Sequence, residues 1–262
     1  MSKPLPQLHE LQLQMLAQPD DMTCGPTCLH AVYSFFNDDI PLDQVIREAS
    51  MLDEGGTLAV LLGCHALQKG YEATVYTYNL DVFDPTWFGS PNERDGDPAN
   101  SGIPRVDLVE RLHAQMAAKD LLKLQAESEA YIDFVNLGGE IRMRDLNADL
   151  IRRYLEQSIP ILTGLSATYL YHCLREFGPS CTPDDVHGLP MGHFVVLCGY
   201  NPHERTVRVA DPYLPNPLAD KHYYEVHIDR LVCAILLGVL TYDANLLIIK
   251  PQQLQIPSGS GT

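Results

Sequence analysis

Apolar positions from Thr23 onward fall at two different spacings, and the change of spacing divides the chain. In TCGPTCLHAVYSFF the apolar residues Cys28, Leu29, Val32, Phe35 and Phe36 recur at helical intervals. The run is nearly all apolar, which predicts a buried helix opening at Cys24. Pro26 suits its first turn and Thr23 its N-cap. Leu42 to Met51, behind Pro41, reads as a second helix. Leu58 to Gln68 reads as a third, opened by Gly55-Gly56-Thr57 and closed by Lys69-Gly70. Tyr71 to Leu80 alternates and is rich in β-formers, which predicts a strand.

Asp81 to Pro104 is Pro-, Gly-, Asp- and Asn-rich and reads as a long loop of the kind that often carries function. Val106 to Ala130 and Asp145 to Gln157 have helical spacing, and Pro160 to Leu165 reads as a short buried strand. The pattern then turns to strands: His193 to Tyr200, Thr206 to Ala210 after the turn Asn201-Pro202-His203-Glu204, Tyr223 to Ile228, and Leu246 to Ile249. Leu231 to Leu240 is apolar without a period that separates helix from strand. Residues 251–262 read as a flexible tail. The organisation predicted is a single α+β domain over residues 1–262. A helical lobe spans about 12–80, an insertion about 81–144 and a β-rich lobe about 145–250, with a cleft between the lobes.

Composition narrows the function classes. With 18 Lys+Arg against 34 Asp+Glu the net charge is −16, a field that repels nucleic acid and anionic membranes. The seven cysteines, Cys24, Cys28, Cys64, Cys173, Cys181, Cys198 and Cys233, are odd in number, and several lie in apolar runs. They read as free thiols of a reducing compartment rather than a disulfide framework. No signal-peptide h-region opens the chain, and the longest apolar stretch, Val232 to Leu240, is far short of the ~20 residues that span a bilayer. A cytoplasmic protein without membrane insertion is predicted. His172, Cys173, Cys181 and His187 fit no standard zinc spacing, so core cysteines and surface histidines are expected there. Cys28, Cys64, Cys198 and Cys233 read as packing, and no metal or cofactor is implied. Gly138-Gly139 and Gly55-Gly56 read as turn glycines.

One set of residues carries chemistry. A thiol at a helix N-terminus is activated by the free N–H groups there, and Cys24 stands in that position. Gly25 leaves the backbone beside it open to a substrate. His193 opens an apolar strand directly after Gly192. Asp211 ends the next strand, so a hairpin between the two strands brings His193 and Asp211 together. Asn201 is the alternative orienter, and position favours Asp211. Gln18 lies six residues before Cys24, and its amide reaches the same space if Pro19 to Thr23 curl back. Asp20 and Asp21 beside the site read as solvated loop acids.

Gln18-x5-Cys24-Gly25-Pro26-Thr27-Cys28-Leu29, then Gly192-His193-Phe194-Val195-Val196-Leu197-x-Gly199-Tyr200, then Val209-x-Asp211-Pro212-Tyr213, resembles the papain-like cysteine peptidases. The likeness is greatest to the bacteriocin-processing, double-glycine-leader peptidases (cysteine peptidase family thirty-nine) and their stand-alone relatives. It covers roughly residues 12–80 and 145–250. The resemblance implies a papain-like fold and a peptidase acting on a peptide or protein substrate. Cys24 is then nucleophile, His193 base, Asp211 orienter and Gln18 part of the oxyanion hole. An acyl transferase and a non-catalytic peptide-binding module share the same pattern. The family's exporter domains have no counterpart here, and the insertion at 81–144 is long enough to reshape or cover the cleft.

Overall fold

The computed structural model describes residues 9–49, 56–89, 102–241 and 244–252. The start of the lead-in, Gly55, residues 90–101 of the long loop and the Ser-Gly tail lie outside the described residues. In chain order, β1 (His9–Glu10) precedes α1 (Cys24–Phe35), α2 (Leu42–Glu48), α3 (Ala59–Gln68) and β2 (Tyr71–Thr77). Next come α4 (Leu108–Ala118), α5 (Leu122–Asn136), β3 (Glu140–Arg142) and α6 (Ala148–Glu156). The remainder is β4 (Ile161–Ser166), α7 (Ala167–Tyr171), β5 (Glu176–Phe177), β6 (Thr182–Pro183), β7 (Gly192–Asn201), β8 (Thr206–Ala210), β9 (Tyr223–His227), α8 (Ile228–Leu237) and β10 (Asn245–Pro251).

The fold is α+β, built on one large sheet ordered β3-β2-β10-β4-β7-β8-β9, with β1 paired to β7. Its neighbours run antiparallel apart from the parallel pair β2–β3. Helices cover both faces. Val196, Cys198, Leu247 and Ile249 pack with α1 to α5, while Val195, Leu197, Leu246 and Ile248 pack with α6 to α8. This is why HFVVLCGY and NLLII read as unbroken apolar runs: each strand is buried on both sides. The ambiguous run after His227 is α8 followed by a 3-10 turn at Gly238–Thr241. It is helical because Leu231, Ala234 and Ile235 fall on one buried stripe.

The insertion departs from expectation in two ways. The helix predicted over 106–130 is broken at Lys119 to Leu121 into α4 and α5, and α5 continues to Asn136. Asp107 caps α4 by accepting the Glu110 N–H at 3.0 Å. The break lets α5 turn Leu124, Tyr131 and Phe134 into the core shared with α3. The insertion also supplies β3, at the sheet edge remote from β7 and β8. Its described residues therefore widen the sheet at that edge. Among the described residues, no helix is long and apolar enough to cross a membrane.

Candidate active site

Three elements converge where β7 begins. α1 packs against β7 and carries Cys24 at its first residue. Thr23 occupies the N-cap position, but its hydroxyl donates to the Asp20 carbonyl at 3.1 Å and caps nothing. The first turn of α1 is thus left without a side-chain cap, which keeps its positive dipole end available beside the thiol.

His193 and Asp211 meet through the β7–β8 hairpin. Val196 stands opposite Ala210, so Asp211 follows directly after the last paired residue of β8. A bulge between Leu197 and Gly199 shifts the register. It is accommodated because Gly199 has no Cβ: one would lie 2.9 Å from the His9 carbonyl and 3.0 Å from Arg208 Cβ. His193 therefore reaches Asp211 as a diagonal neighbour, a spacing of ~7–8 Å that long side chains bridge. Its Nε2 donates to Asp211 Oδ1 at 2.8 Å. Cys24, on the helix packed against β7, is near enough to the same ring for its sulfur to raise the imidazole's pKa. With Nε2 engaged, Nδ1 is the nitrogen left for the sulfur. Asn201 sits at the far end of β7 and accepts the His203 and Glu204 N–H groups, so Asp211 is the residue on the imidazole.

The Asp211 carboxylate is fully buried and has four donors. Oδ1 also accepts the Tyr213 N–H at 2.9 Å. Oδ2 accepts the hydroxyls of Tyr171 at 2.7 Å and Tyr224 at 2.6 Å. Burial alone raises a carboxyl's pKa; the His193 bond and charge, with the other donors, outweigh it and hold Asp211 below its ordinary value. For His193, 8% exposed, burial disfavours the charged ring. The bonds to Asp211 and Cys24, then their charges, reverse that and raise it to about 10. Both phenols are pushed well above the usual range, by burial first and by Asp211 next, so they remain donors.

Tyr171 and Tyr224 were not among the predicted site residues. Tyr224 had a signal: it lies on the inward face of an alternating strand, and a buried phenol requires a partner. Tyr171 had none, because α7 is a single short helix squeezed between β4 and a surface excursion.

Gln18 arrives by a tethered route. β1 replaces β4 as the partner of β7 at Gly199 and Tyr200. The Tyr223 hydroxyl donates to the Leu13 carbonyl and accepts the Met15 N–H. The Gln18 N–H then donates to the Pro212 carbonyl at 3.0 Å, next to Asp211. The loop to Cys24 curls back, with Gln18 Nε2 donating one hydrogen to the Asp20 carbonyl at 2.9 Å.

Other expectations need correction. Gly25 is buried, and a Cβ there would lie 2.5 Å from Thr57 Cγ2, 3.2 Å from Leu62 and 3.3 Å from Phe194. Its smallness serves the docking of α1 onto α3 and β7, not substrate approach. Gly25→Ala is expected to cost about 1–3 kcal/mol through overpacking, read as a lower urea midpoint with unchanged slope. Cys28 is core, its Sγ donating to the Phe194 carbonyl; burial first, then the adjacent Cys24 and Asp211, drive its pKa well up. Cys198 is buried, whereas Cys173, Cys181 and Cys233 are exposed because their segments lie at the surface rather than in the core. Among the described residues, no group of three or more His, Cys, Asp or Glu side chains is arranged to hold a metal.

No family model matches the chain, and no curated protein matches it. Similar solved structures include a double glycine motif protease from an AMS/PCAT transporter in complex with the leader peptide. It is 13% identical, with a TM-score of 0.42 over 93% of this chain and 94% of that one. A C39-like peptidase from Bacillus anthracis is 13% identical, with a TM-score of 0.43 over 93% of this chain and 98% of that one. Xylellain, a cysteine protease from Xylella fastidiosa, is 16% identical, with a TM-score of 0.46 over 95% of this chain and 87% of that one.

Proposed function

We propose that the protein is a papain-like thiol hydrolase that cleaves a peptide or isopeptide bond. One observation carries the reading: a single buried imidazole is bonded to a carboxylate held by three further donors and lies near enough to Cys24, at a helix tip, for the sulfur to raise its pKa. In this reading Cys24 Sγ attacks the substrate carbonyl and its oxygen becomes an oxyanion. The second amide hydrogen of Gln18 and the Cys24 N–H stabilise that charge. Protonated His193 gives its proton to the leaving amine. It then takes a proton from water, whose oxygen attacks the thioester and releases the acid. Asp211 stays ionised and keeps the ring oriented through both steps.

The test is alkylation by iodoacetamide at pH 6, with labelled peptides mapped by mass. Cys24 is expected to react about a hundredfold faster than free cysteine, whose thiol is almost wholly protonated there. A peptide mixture should be cleaved by the wild type and untouched by Cys24→Ala. Labelling of Cys24 at the rate of free cysteine would sink the proposal.

A further inference from the structure

Between Tyr171, bonded to Asp211, and His193, the chain leaves the sheet. The stem of this excursion is closed by Ala167 N–H on the Met191 carbonyl at 2.9 Å and Met191 N–H on Thr168 Oγ1 at 2.8 Å. Beyond the stem the fold is ordered. β5 pairs with β6, and Glu176 bridges to Leu189. The Asp184 carboxylate accepts the N–H groups of Val186 and His187 and holds the His187 ring. Arg175 donates to the Asp185 carbonyl. Gly188 is so tightly enclosed that a Cβ would lie 2.4 Å from the Asp184 carbonyl.

This flap buries almost nothing. Phe177, Val186 and Leu189 are 52%, 72% and 73% exposed, and Leu174 is exposed beside them. A two-stranded hairpin is marginal by itself, so a flap held open with its apolar side chains outward is a surface awaiting a partner. Its location says which partner. The flap grows from the two chain segments that carry Tyr171 and His193. Charge says more. Glu176 and Asp185 flank Phe177 and Val186 within the flap, while Arg175, its one Lys or Arg, is tied to the Asp185 carbonyl. The whole chain carries −16. A second copy, an acidic peptide and an anionic membrane are all repelled.

We infer that residues 172–190 form the docking flap for the substrate chain, selecting a segment in which apolar side chains alternate with lysine or arginine. This rests on the hydrolase reading for the word substrate. The apolar side chains would cover Phe177 and Leu189, and the cations would meet Glu176 and Asp185.

Binding to full-length Cys24→Ala, read by fluorescence anisotropy, tests the flap without requiring turnover. Three labelled peptides of equal length are compared: Leu/Phe with Lys, Leu/Phe with Glu, and Ser with Lys. The first is expected to bind at least about tenfold tighter than either other, with affinity falling as salt rises. Adding Phe177→Ser with Leu189→Ser should weaken it about fivefold, at surface positions where thermal melting reports an intact fold. Adding Glu176→Gln with Asp185→Asn should narrow the Lys-over-Glu preference. Equal affinity for all three peptides, no binding, or indifference to the flap substitutions would overturn the inference. So would a dimer in solution that Phe177→Ser with Leu189→Ser dissociates, since a second copy would then cover the flap. Cys24 alkylation is read separately on the wild type, so either idea fails without the other.

Discussion

His193→Ala is expected to slow alkylation of Cys24 at pH 6 by about a hundredfold, because an unassisted thiol with a pKa of ~8.5 is well under one per cent ionised there. The signature is in the pH dependence. Wild type should react at a rate that varies less steeply between pH 6 and pH 8, since the imidazole beside the sulfur can take its proton. The variant should climb about tenfold per pH unit until its own thiol ionises, so the two curves converge near pH 9. A residue that merely supports the fold would scale the whole curve instead of changing its shape. Folding should survive the substitution. Asp211 keeps Tyr171, Tyr224 and the Tyr213 N–H as donors when the imidazole is gone. Superimposable profiles for the two proteins would show that His193 does not act on the sulfur.

Local sequence was enough for whatever depends on period and punctuation. α1 is set by an apolar stripe behind Pro26, and β8 by clean alternation over Thr206–Ala210. The meeting of His193 with Asp211 needed only the turn between their strands. Cys24 needed more: its approach to His193 depends on α1 lying across β7, which a gap of 169 residues in sequence does not dictate. The bulge after Leu197 was invisible because it answers to β1, whose partner residues Gly199 and Tyr200 are far along the chain. Tyr171 was invisible for a related reason, since its hydroxyl is satisfied by a carboxylate 40 residues away. Gly25 was legible as a constraint but misread in kind, because only the folded chain brings Thr57 and Phe194 against it. The flap has no period at all. Its order comes from Asp184, Arg175 and Gly188 bonding or packing locally.

Asp211→Ala is the substitution expected to cost most stability, about 3–5 kcal/mol, because it deletes the acceptor of a buried charged network. Four donors lose their partner together: the His193 ring, the Tyr213 N–H and the buried Tyr171 and Tyr224 hydroxyls. Asp211→Asn should cost much less. Its amide oxygen can face His193 while its NH2 faces the two phenols, whose hydroxyls turn from donor to acceptor. The two variants therefore separate the charge from the hydrogen-bond count. The pH dependence separates it again. Asp211 is depressed in the folded state, so its contribution is present above the unfolded carboxylate pKa of ~3.9 and fades as pH falls through the folded value. His193 is raised, so its contribution is complete below the unfolded pKa of ~6.5 and fades as pH rises towards about 10. The gap in unfolding free energy between wild type and Asp211→Ala should be widest between about pH 4 and pH 6.5 and shrink on the alkaline side. Urea unfolding at acid, neutral and alkaline pH measures it. A gap that stays constant up to pH 9.5 would mean that the carboxylate stabilises the fold only through its hydrogen bonds, and that the ion pair with His193 contributes nothing.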